Sequence, residues 1–206
     1  MQLVKIAQNT PEWLHFRRTH IGASDAVSIM GFSPWKSILD LYEEKIFQFY
    51  QEDNPYMSRG RDLEPLALES FENETGLTMF PMVFKHDTIS WMSASFDGVT
   101  LDRKAILEIK CPGKKDHHFA GVSKMVPIKY RAQIQHQIEV SGLDFAYYYS
   151  FDGEKGVIIE VKRDQEFIEK MLEKELEFWH CLQTFTPPEI ITKTRKRKSY
   201  GTTTAI

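Results

Sequence analysis

Cysteine and long apolar runs are scarce in this 206-residue chain, and each of these absences excludes some classes of protein. The two cysteines, Cys111 and Cys181, have no zinc-site spacing, and two thiols are too few for a disulfide framework or an iron–sulfur cluster. No apolar stretch approaches the roughly 20 residues of a membrane-spanning helix, and the first residues lack a signal-peptide pattern. We therefore expect a protein of the reducing cytoplasm.

Negative charge is in slight excess overall, but positive charge is concentrated near one end. The formal net charge is -3, yet the segment from Lys193 to Lys198 carries five positive charges in six residues and follows Pro187 and Pro188. The remaining length suits one domain with a sizeable core. We predict a single domain over residues 1–190 and a basic, flexible tail over residues 191–206.

The strongest chemical signal is a pair of carboxylates with a lysine. The apolar run 89–96 leads into Asp97, a turn begins at Gly98, and a second extended run covers residues 105–111. Because side chains alternate along a strand, Glu108 and Lys110 point the same way while Ile109 points into the core. If the two strands are neighbours, Asp97 lies beside Glu108.

Clustered carboxylates repel one another unless a cation lies between them, and Mg²⁺ binds a few carboxylate oxygens while keeping its waters. A nearby lysine polarises a metal-bound water and balances charge on a phosphate. The arrangement therefore indicates phosphodiester hydrolysis. The alternative is a pair of solvated charges on a hairpin, and the apolar neighbours of both carboxylates, such as Ile106 and Phe96, argue against it.

The hydrophobic pattern predicts helices and strands in a mixed order. Expected helices start after Thr10, run from the tight break over residues 21–25 to Gly31, and cover residues 37–50, 63–76 and about 127–141. A last helix follows Asp164 and carries an apolar stripe from Phe167 to Trp179. Expected strands cover residues 79–84, 89–96, 105–111, 145–151 and 156–161, and residues 51–60 and 114–118 are expected loops. This order predicts an α/β fold in which helices flank a mixed central β-sheet.

Six short motifs occur in one order along the chain: Trp13-x-x-x-Arg17, Ile21-Gly-Ala-Ser24, Gly60-x-x-x-Glu64, Ser95-x-Asp97, Glu108-x-Lys110-Cys-Pro and Tyr130-x-x-Gln133-x-Gln135. Together they resemble the lambda exonuclease family of phage recombination nucleases, within the PD-(D/E)xK superfamily. The resemblance covers roughly residues 10–162 and implies a restriction-endonuclease-like core.

The resemblance also implies an activity and partners. Members of this family digest one strand of linear double-stranded DNA processively from a 5′-phosphorylated end, and leave a 3′ overhang for single-strand annealing recombination. The implied cofactor is Mg²⁺, with Mn²⁺ as a substitute and two ions per active site. The implied partners are DNA, two further copies in a ring-shaped homotrimer and a single-strand annealing protein, in the cytoplasm of a phage-infected or prophage-carrying bacterium.

The family pattern assigns catalytic and metal-binding roles. Asp97 would bridge two metals, and Glu108 would bind one of them with the backbone carbonyl of Ile109. Lys110 would position or deprotonate the attacking water. Glu64, expected near a helix N-terminus, would hold water or metal from the far side. Asp87 matches a further acidic ligand, although a turn residue is an equal interpretation.

The 5′-phosphate would be held by four side chains. Arg17 grips a phosphate bidentately, and Ser24, Ser95 and Gln133 donate hydrogen bonds. An alternative for Arg17 is a helix-surface salt bridge with Glu12 or Asp25, and Arg18 is an alternative for the phosphate contact.

Three further residues have open interpretations. Met57, in the expected polar loop, is either a wedge that parts the DNA strands or a core contact of that loop. His117 and His118 are expected in a loop near DNA, without a third ligand that would make them a metal site.

Two other functions share the same core. One is a site-specific or structure-specific DNA endonuclease or resolvase, which needs no 5′-phosphate pocket. The other is a non-catalytic DNA clamp, for which the complete set of Asp97, Glu108 and Lys110 would be unnecessary. The basic tail is expected to contact the DNA backbone or to remain mobile, and not to join the core.

Overall fold

Residues 1–47 and 55–189 are described by the computed structural model, and the side chains of residues 55–57 lie outside that description. Helices and strands alternate irregularly along this part of the chain. In order they are β1 (Gln2–Val4), α1 (Pro11–Arg18), β2 (Ile21–Gly22), α2 (Ala23–Ile29), α3 (Ile38–Phe47), α4 (Pro55–Thr75), β3 (Phe80–Lys85), β4 (Met92–Val99), β5 (Ile106–Lys110), α5 (Lys114–Ser123), α6 (Ile128–Ser141), β6 (Phe145–Phe151), β7 (Gly156–Lys162) and α7 (Gln165–Thr184).

The strands form one mixed sheet in the order β1-β3-β4-β5-β6-β7, with the short β2 paired to β4. The β5–β6 and β2–β4 pairs are parallel, and the other pairs are antiparallel. Helix α6 packs on β3, β4, β5 and β6 and is backed by α2 and α7, whereas α4 packs on β5, β6 and β7. The predicted α/β fold with helices flanking a mixed sheet is confirmed.

Two helix starts follow directly from capping side chains. The Thr10 hydroxyl accepts a hydrogen bond from the backbone N–H of Trp13, and Pro11 occupies the first helical position of α1. The Asp164 carboxylate accepts from the backbone N–H of Phe167 and starts α7 in the same way. The apolar stripe of α7 is buried at Ile168 and Met171 and continues to Trp179, which packs against the core, but Leu176 is 56% exposed and is not part of it.

The largest errors of the sequence prediction concern two loops that are helical. Helix α4 begins at Pro55, so the part of the expected loop over 55–60 belongs to it, and Glu64 lies well inside the helix rather than near its N-terminus. Residues 114–118 begin α5, with Gly113 as N-cap. Lysines and histidines on an exposed helix give no apolar periodicity, which is why α5 resembled a loop.

Other differences are smaller. Strand β4 continues to Val99, so Asp97 lies inside the strand instead of ending it, and β1 and β2 are additional strands. The predicted basic tail and residues 48–54 lie outside the described residues. Among the helices of the described ranges, none is long and apolar enough to cross a membrane.

A fully buried ion pair connects the two helices that cover one face of the sheet. His136 on α6 and Glu175 on α7 are both inaccessible to solvent, and His136 Nδ1 lies 2.8 Å from a Glu175 carboxylate oxygen. The other ring nitrogen, Nε2, lies 2.9 Å from the backbone carbonyl oxygen of Ser93 on β4. Because both ring nitrogens face acceptors, both must carry a proton to be satisfied.

Burial alone would lower the His136 pKa, but the Glu175 carboxylate outweighs it and raises the pKa above its ordinary value. A histidine with a raised pKa in the folded state contributes stability that is complete below pH about 6.5. That contribution is lost as the pH rises through the raised value. The α6–α7 contact should therefore weaken under alkaline conditions.

We predict that Glu175→Gln lowers the free energy of unfolding most at pH 6 and progressively less toward pH 9. The glutamine removes the charge that stabilises the imidazolium, and breaking a buried pair costs about 3–5 kcal/mol. Urea unfolding at pH 6, 7.5 and 9 measures the effect. A destabilisation that stays constant over this range would contradict the ionised state of His136.

Candidate active site

The site begins where strands β4 and β5 part. The two strands pair antiparallel at Gly98 with Leu107 and at Val99 with Ile106, and the same register puts Asp97 opposite Glu108. Beyond this point the Asp97 carboxylate accepts a hydrogen bond of 2.7 Å from the backbone N–H of Ile109. A side chain thus takes a donor that would otherwise go to the neighbouring strand, and the sheet opens here.

Glu108 is 1% exposed, and its carboxylate is fully surrounded by donors. One oxygen, Oε1, accepts from the Lys110 ammonium and from the Gln133 amide, and the other, Oε2, accepts from the Gln137 amide. The predicted strand alternation is confirmed, since Glu108 and Lys110 form an ion pair while Ile109 packs in the core. A buried carboxylate needs such partners, because an unpaired charge is costly away from water.

The cluster brings several carboxylates close together around one lysine, and this affects their pKa values. Burial and the nearby Glu108 carboxylate raise the pKa of Asp97 well above its ordinary value. Burial also raises the pKa of Glu64, and Glu108 adds to the effect. For Lys110, burial would lower the pKa, but Glu108 and Asp97 outweigh it and raise it, so its amine is protonated at neutral pH.

The oxygen donors present suit a hard divalent cation. Within the described ranges, no group of three or more His, Cys, Asp or Glu side chains would by itself hold a metal ion. Mg²⁺ is commonly bound through only one or two carboxylates and keeps several waters. Asp97 and Glu108 supply that number, and Glu64 lies near enough to raise the Asp97 pKa. A cation would relieve their repulsion, so the residues fit Mg²⁺.

Asp87 does not join this cluster. It follows β3 at the end of the β3–β4 pair where Lys85 lies opposite Ser93, away from Asp97. Its carboxylate instead forms an ion pair of 2.6 Å with the amino group of Met1 and is 61% exposed. The structure therefore supports the turn interpretation of Asp87 and leaves its proposed metal role without a geometric basis.

The predicted phosphate-binding side chains come from three elements that meet at one end of the cleft. The Arg17 guanidinium on α1 donates a hydrogen bond of 2.9 Å to the Ser24 hydroxyl at the start of α2. It also lies over the indole ring of Trp13, 4.5 Å from the ring centroid. The Trp13 Nε1–H in turn donates to the Ser95 hydroxyl at 2.8 Å. Arg17, Ser24 and Ser95 are thus connected.

A buried ion pair that sequence reasoning missed fixes this group. The Lys45 ammonium on α3 binds the Asp25 carboxylate at 2.7 Å, and both side chains are less than 10% exposed. The same ammonium donates to the backbone carbonyl oxygens of Arg17 and His20 at 2.9 and 2.8 Å. Because its three N–H groups join α1, α2 and α3, Lys45 sets the position of Arg17 relative to Ser24. Asp25 is therefore bound to Lys45, not to Arg17 as a surface salt bridge.

Gln133 lies at the site, but its amide is directed to a carboxylate. It donates to Glu108 instead of standing free for a phosphate. Gln137, one helical turn further along α6, donates to the second Glu108 oxygen and was not identified from the sequence. Gln135 lies on another side of the helix and binds the backbone of Lys162 and Asp164, so its role is structural. Residues four apart lie on the same face of a helix, so counting four residues from Gln133 would have identified Gln137 from the sequence.

The remaining predicted residues lie elsewhere. His117 is on α5 rather than in a loop, and its ring contacts the Ser150 hydroxyl at 3.0 Å and the Asp152 carboxylate at 3.7 Å. His118 is exposed on the same helix. The backbone of Met57 is helical, and its side chain lies outside the described part of the structure.

One cleft joins the two halves of the site. Its volume is about 830 Å³, and its walls include Arg17 and Ser24 at one side and Glu64, Lys110 and Gln133 at the other. The cleft is large enough for a nucleotide, since ligand pockets commonly measure about 300–1,000 Å³.

Comparison with known proteins places the chain in a family. Residues 12–144 match the YqaJ-like viral recombinase domain, and the chain therefore belongs to that family. The protein YqaJ of Bacillus subtilis (strain 168) is 30% identical over 178 residues, which are 82% of this chain and 55% of YqaJ. The chain thus spans about half the length of this relative.

Two solved structures share the fold. The alkaline exonuclease LHK-Exo from Laribacter hongkongensis has a TM-score of 0.74 at 26% identity, over 86% of this chain and 94% of its own. The phage-related exonuclease from Haemophilus somnus 129PT has a TM-score of 0.60 at 16% identity, over 81% and 94%. At 26% identity LHK-Exo is a relative and not the same protein.

We predict opposite stability effects for two isosteric changes. Asp97→Asn removes a repelling charge while the amide oxygen still accepts from Ile109, so the melting temperature should hold or rise. Glu108→Gln leaves Lys110 without its buried counter-ion and sets an NH₂ group against amide donors, so the free energy of unfolding should fall by about 3 kcal/mol or more. Thermal and urea unfolding without metal compare them, and equal effects would contradict the charge arrangement.

Proposed function

We propose that the protein is a metal-dependent deoxyribonuclease that digests linear double-stranded DNA from a 5′-phosphorylated end. The observation that carries the proposal is that one cleft is lined both by Glu64 and Lys110, which belong to the carboxylate–lysine cluster, and by a separate cation–hydroxyl pair, Arg17 with Ser24. Hydrolysis alone needs only the carboxylate–lysine cluster. A second phosphate contact at a fixed distance suits an enzyme that measures from a chain end. Membership of the YqaJ-like viral recombinase family and the fold shared with LHK-Exo, an alkaline exonuclease, support the proposal.

Asp97, Glu108 and the backbone carbonyl of Ile109 would hold Mg²⁺, with Glu64 facing them from α4. When bound, the metal activates a water and stabilises negative charge on the phosphate oxygens. Lys110 is protonated next to these carboxylates, so we assign it to positioning the water and balancing phosphate charge rather than to removing a proton. Gln133 and Gln137 keep the Glu108 carboxylate oriented from α6.

Arg17 would bind the terminal 5′-phosphate together with the Ser24 hydroxyl. Ser24 lies in the first turn of α2, where backbone N–H groups favour anions. Stacking on Trp13 holds the guanidinium plane, and Lys45 fixes the backbone beneath it. Ser95, linked through Trp13, would complete the pocket. We assign Gln133 to the carboxylate instead of the phosphate because its amide is already directed there.

A substrate-topology assay tests the proposal. Purified protein with Mg²⁺ should degrade linear duplex DNA and leave closed-circular duplex intact, and Asp97→Asn should degrade neither. Cleavage of both forms would indicate an endonuclease or resolvase. Binding without cleavage of either form would indicate a non-catalytic clamp.

Metal binding is testable without any activity measurement. Mg²⁺ at millimolar concentration should raise the melting temperature of the wild type, because a ligand that binds only the folded state stabilises it. Asp97→Asn should respond much less, while Asp87→Asn should respond like the wild type. If Asp87→Asn abolished the response and Asp97→Asn kept it, the ligand assignment would be wrong.

Phosphate recognition is tested by changing Arg17 and the substrate end together. We predict that Arg17→Ala slows digestion of 5′-phosphorylated duplex roughly ten- to hundredfold more than that of 5′-hydroxyl duplex, the range expected for a charged hydrogen bond. Arg18→Ala is the matched control, since it removes the neighbouring charge, and it should slow both substrates equally. If Arg18→Ala instead slowed only the digestion of 5′-phosphorylated duplex, the phosphate contact would belong to Arg18 and not to Arg17.

Three further features are proposed from the family resemblance. They are processive digestion in the 5′ to 3′ direction, assembly as a homotrimeric ring around DNA, and delivery of the 3′ overhang to a single-strand annealing protein in a bacterial cytoplasm. Analytical ultracentrifugation tests the trimer, with a monomer at micromolar concentration as the contradicting result.

A further inference from the structure

Trp35 is a large aromatic side chain that is 61% exposed at the wall of the proposed catalytic cleft. The other tryptophan of the site, Trp13, is only 9% exposed, and its N–H is bound to Ser95. Trp35 is therefore not explained by the core or by the hydrogen bonds that hold the phosphate-binding side chains.

The segment that carries Trp35 is held in place at both ends. It lies between α2 and α3, where the Ser33 hydroxyl accepts hydrogen bonds from the backbone N–H groups of Trp35 and Lys36 at 3.2 and 3.0 Å. At the other end, Ser37 and Asp40 bind each other's backbone N–H groups at 3.1 and 2.8 Å. The indole is thus presented by a fixed backbone, and little ordering is needed when a ligand binds.

A row of alternating cations and rings connects Trp35 with the catalytic lysine. The Lys129 ammonium, which is paired with the Asp116 carboxylate at 2.5 Å, lies 4.8 Å from the Trp35 ring centroid and 5.1 Å from that of Tyr130. The Lys110 ammonium lies 5.7 Å from the Tyr130 ring centroid. Two side chains, Lys129 and Tyr130, therefore separate Trp35 from Lys110, the residue proposed to face the scissile phosphate. This separation corresponds to one or a few nucleotides.

The ligand chemistry follows from these neighbours. A flat π-face attracts a flat partner, and a cation next to it attracts a negative one, so the pair suits a nucleobase with its backbone phosphate. We propose that Trp35 is a stacking platform for a nucleobase near the 5′ end of the strand held in the cleft, and that Lys129 binds the adjoining phosphate through an N–H that its ion pair with Asp116 leaves unused. Stacking is tolerant of sequence because every base has a π-face, so the platform would hold the end without selecting a sequence.

This inference rests on the proposed function for the identity of the strand, but the test separates the two. Duplexes with a 5′-phosphate carry a single abasic residue at the first, second or third nucleotide of the 5′ strand, or none. Dissociation constants are measured in Ca²⁺ without Mg²⁺, in an Asp97→Asn background. At one position, loss of the base should weaken binding about tenfold in protein with Trp35 intact.

In Trp35→Ala the intact duplex should bind about tenfold more weakly, and the abasic residue at that position should cause no further loss. Trp35→Phe should restore most of the affinity and the response to the abasic residue, whereas Trp35→Leu should restore neither. Leu176→Ala, which removes an apolar side chain that is 56% exposed on α7, is the matched control and should bind like its parent.

The inference is overturned if Trp35→Ala and the abasic residue weaken binding independently at all three positions, or if Trp35→Ala binds the intact duplex normally. A failure of the proposed function has a different signature. In that case the protein with Trp35 intact would bind 5′-phosphorylated and 5′-hydroxyl ends equally, whatever the response to the abasic residue.

Discussion

The fully buried Glu108 carboxylate is the interaction on which the site depends. Burying one carboxylate beside another is unfavourable, and here it is made possible by one ammonium and two amides that converge on it from β5 and α6. Those donors are useful only if α6 lies directly against the sheet at this point. The packing of α6 on the sheet and the geometry of the candidate active site are therefore one requirement, and a change in either would disturb both.

Helix α6 meets this requirement by using different sides for different contacts. Gln133 and Gln137, four residues apart, face Glu108, while Gln135 binds the backbone that joins β7 to α7. His136 connects the helix to Ser93 on β4 and to Glu175 on α7. Because the buried His136–Glu175 pair lies on the helix that orients Glu108, loss of its proton at high pH would act on the support of the site and not on the cluster itself.

The alternation of side chains along strands predicted the centre of the site correctly. Contacts between elements that are distant in the chain could not be predicted from the sequence. Alternation alone placed Glu108 and Lys110 together, and a single turn brought Asp97 to them. Lys45 was missed because nothing local distinguishes a lysine that binds Asp25 from one on a solvated helix face. The motif spacing of the resembled family drew attention to Gln135, whereas helical periodicity from Gln133 leads to Gln137. Of the two interpretations of Asp87, the geometry favours the turn residue, because the turn that carries it lies at the opposite end of its hairpin from Asp97.

The raised pKa values of Asp97, Glu64 and Lys110 come from burial and from crowded negative charge. For Asp97 and Glu64 burial is the larger cause and the Glu108 carboxylate adds to it, whereas for Lys110 the carboxylates of Glu108 and Asp97 outweigh burial. Three carboxylates share a partly buried space with one ammonium, so the cluster has an excess of negative charge. The lysine charge offsets only part of this excess when no other cation is present. A divalent cation would offset the rest and would leave Lys110 available to a phosphate. The charge that makes the isolated cluster unfavourable is thus the same charge that would give it affinity for metal and, through Lys110, for the substrate.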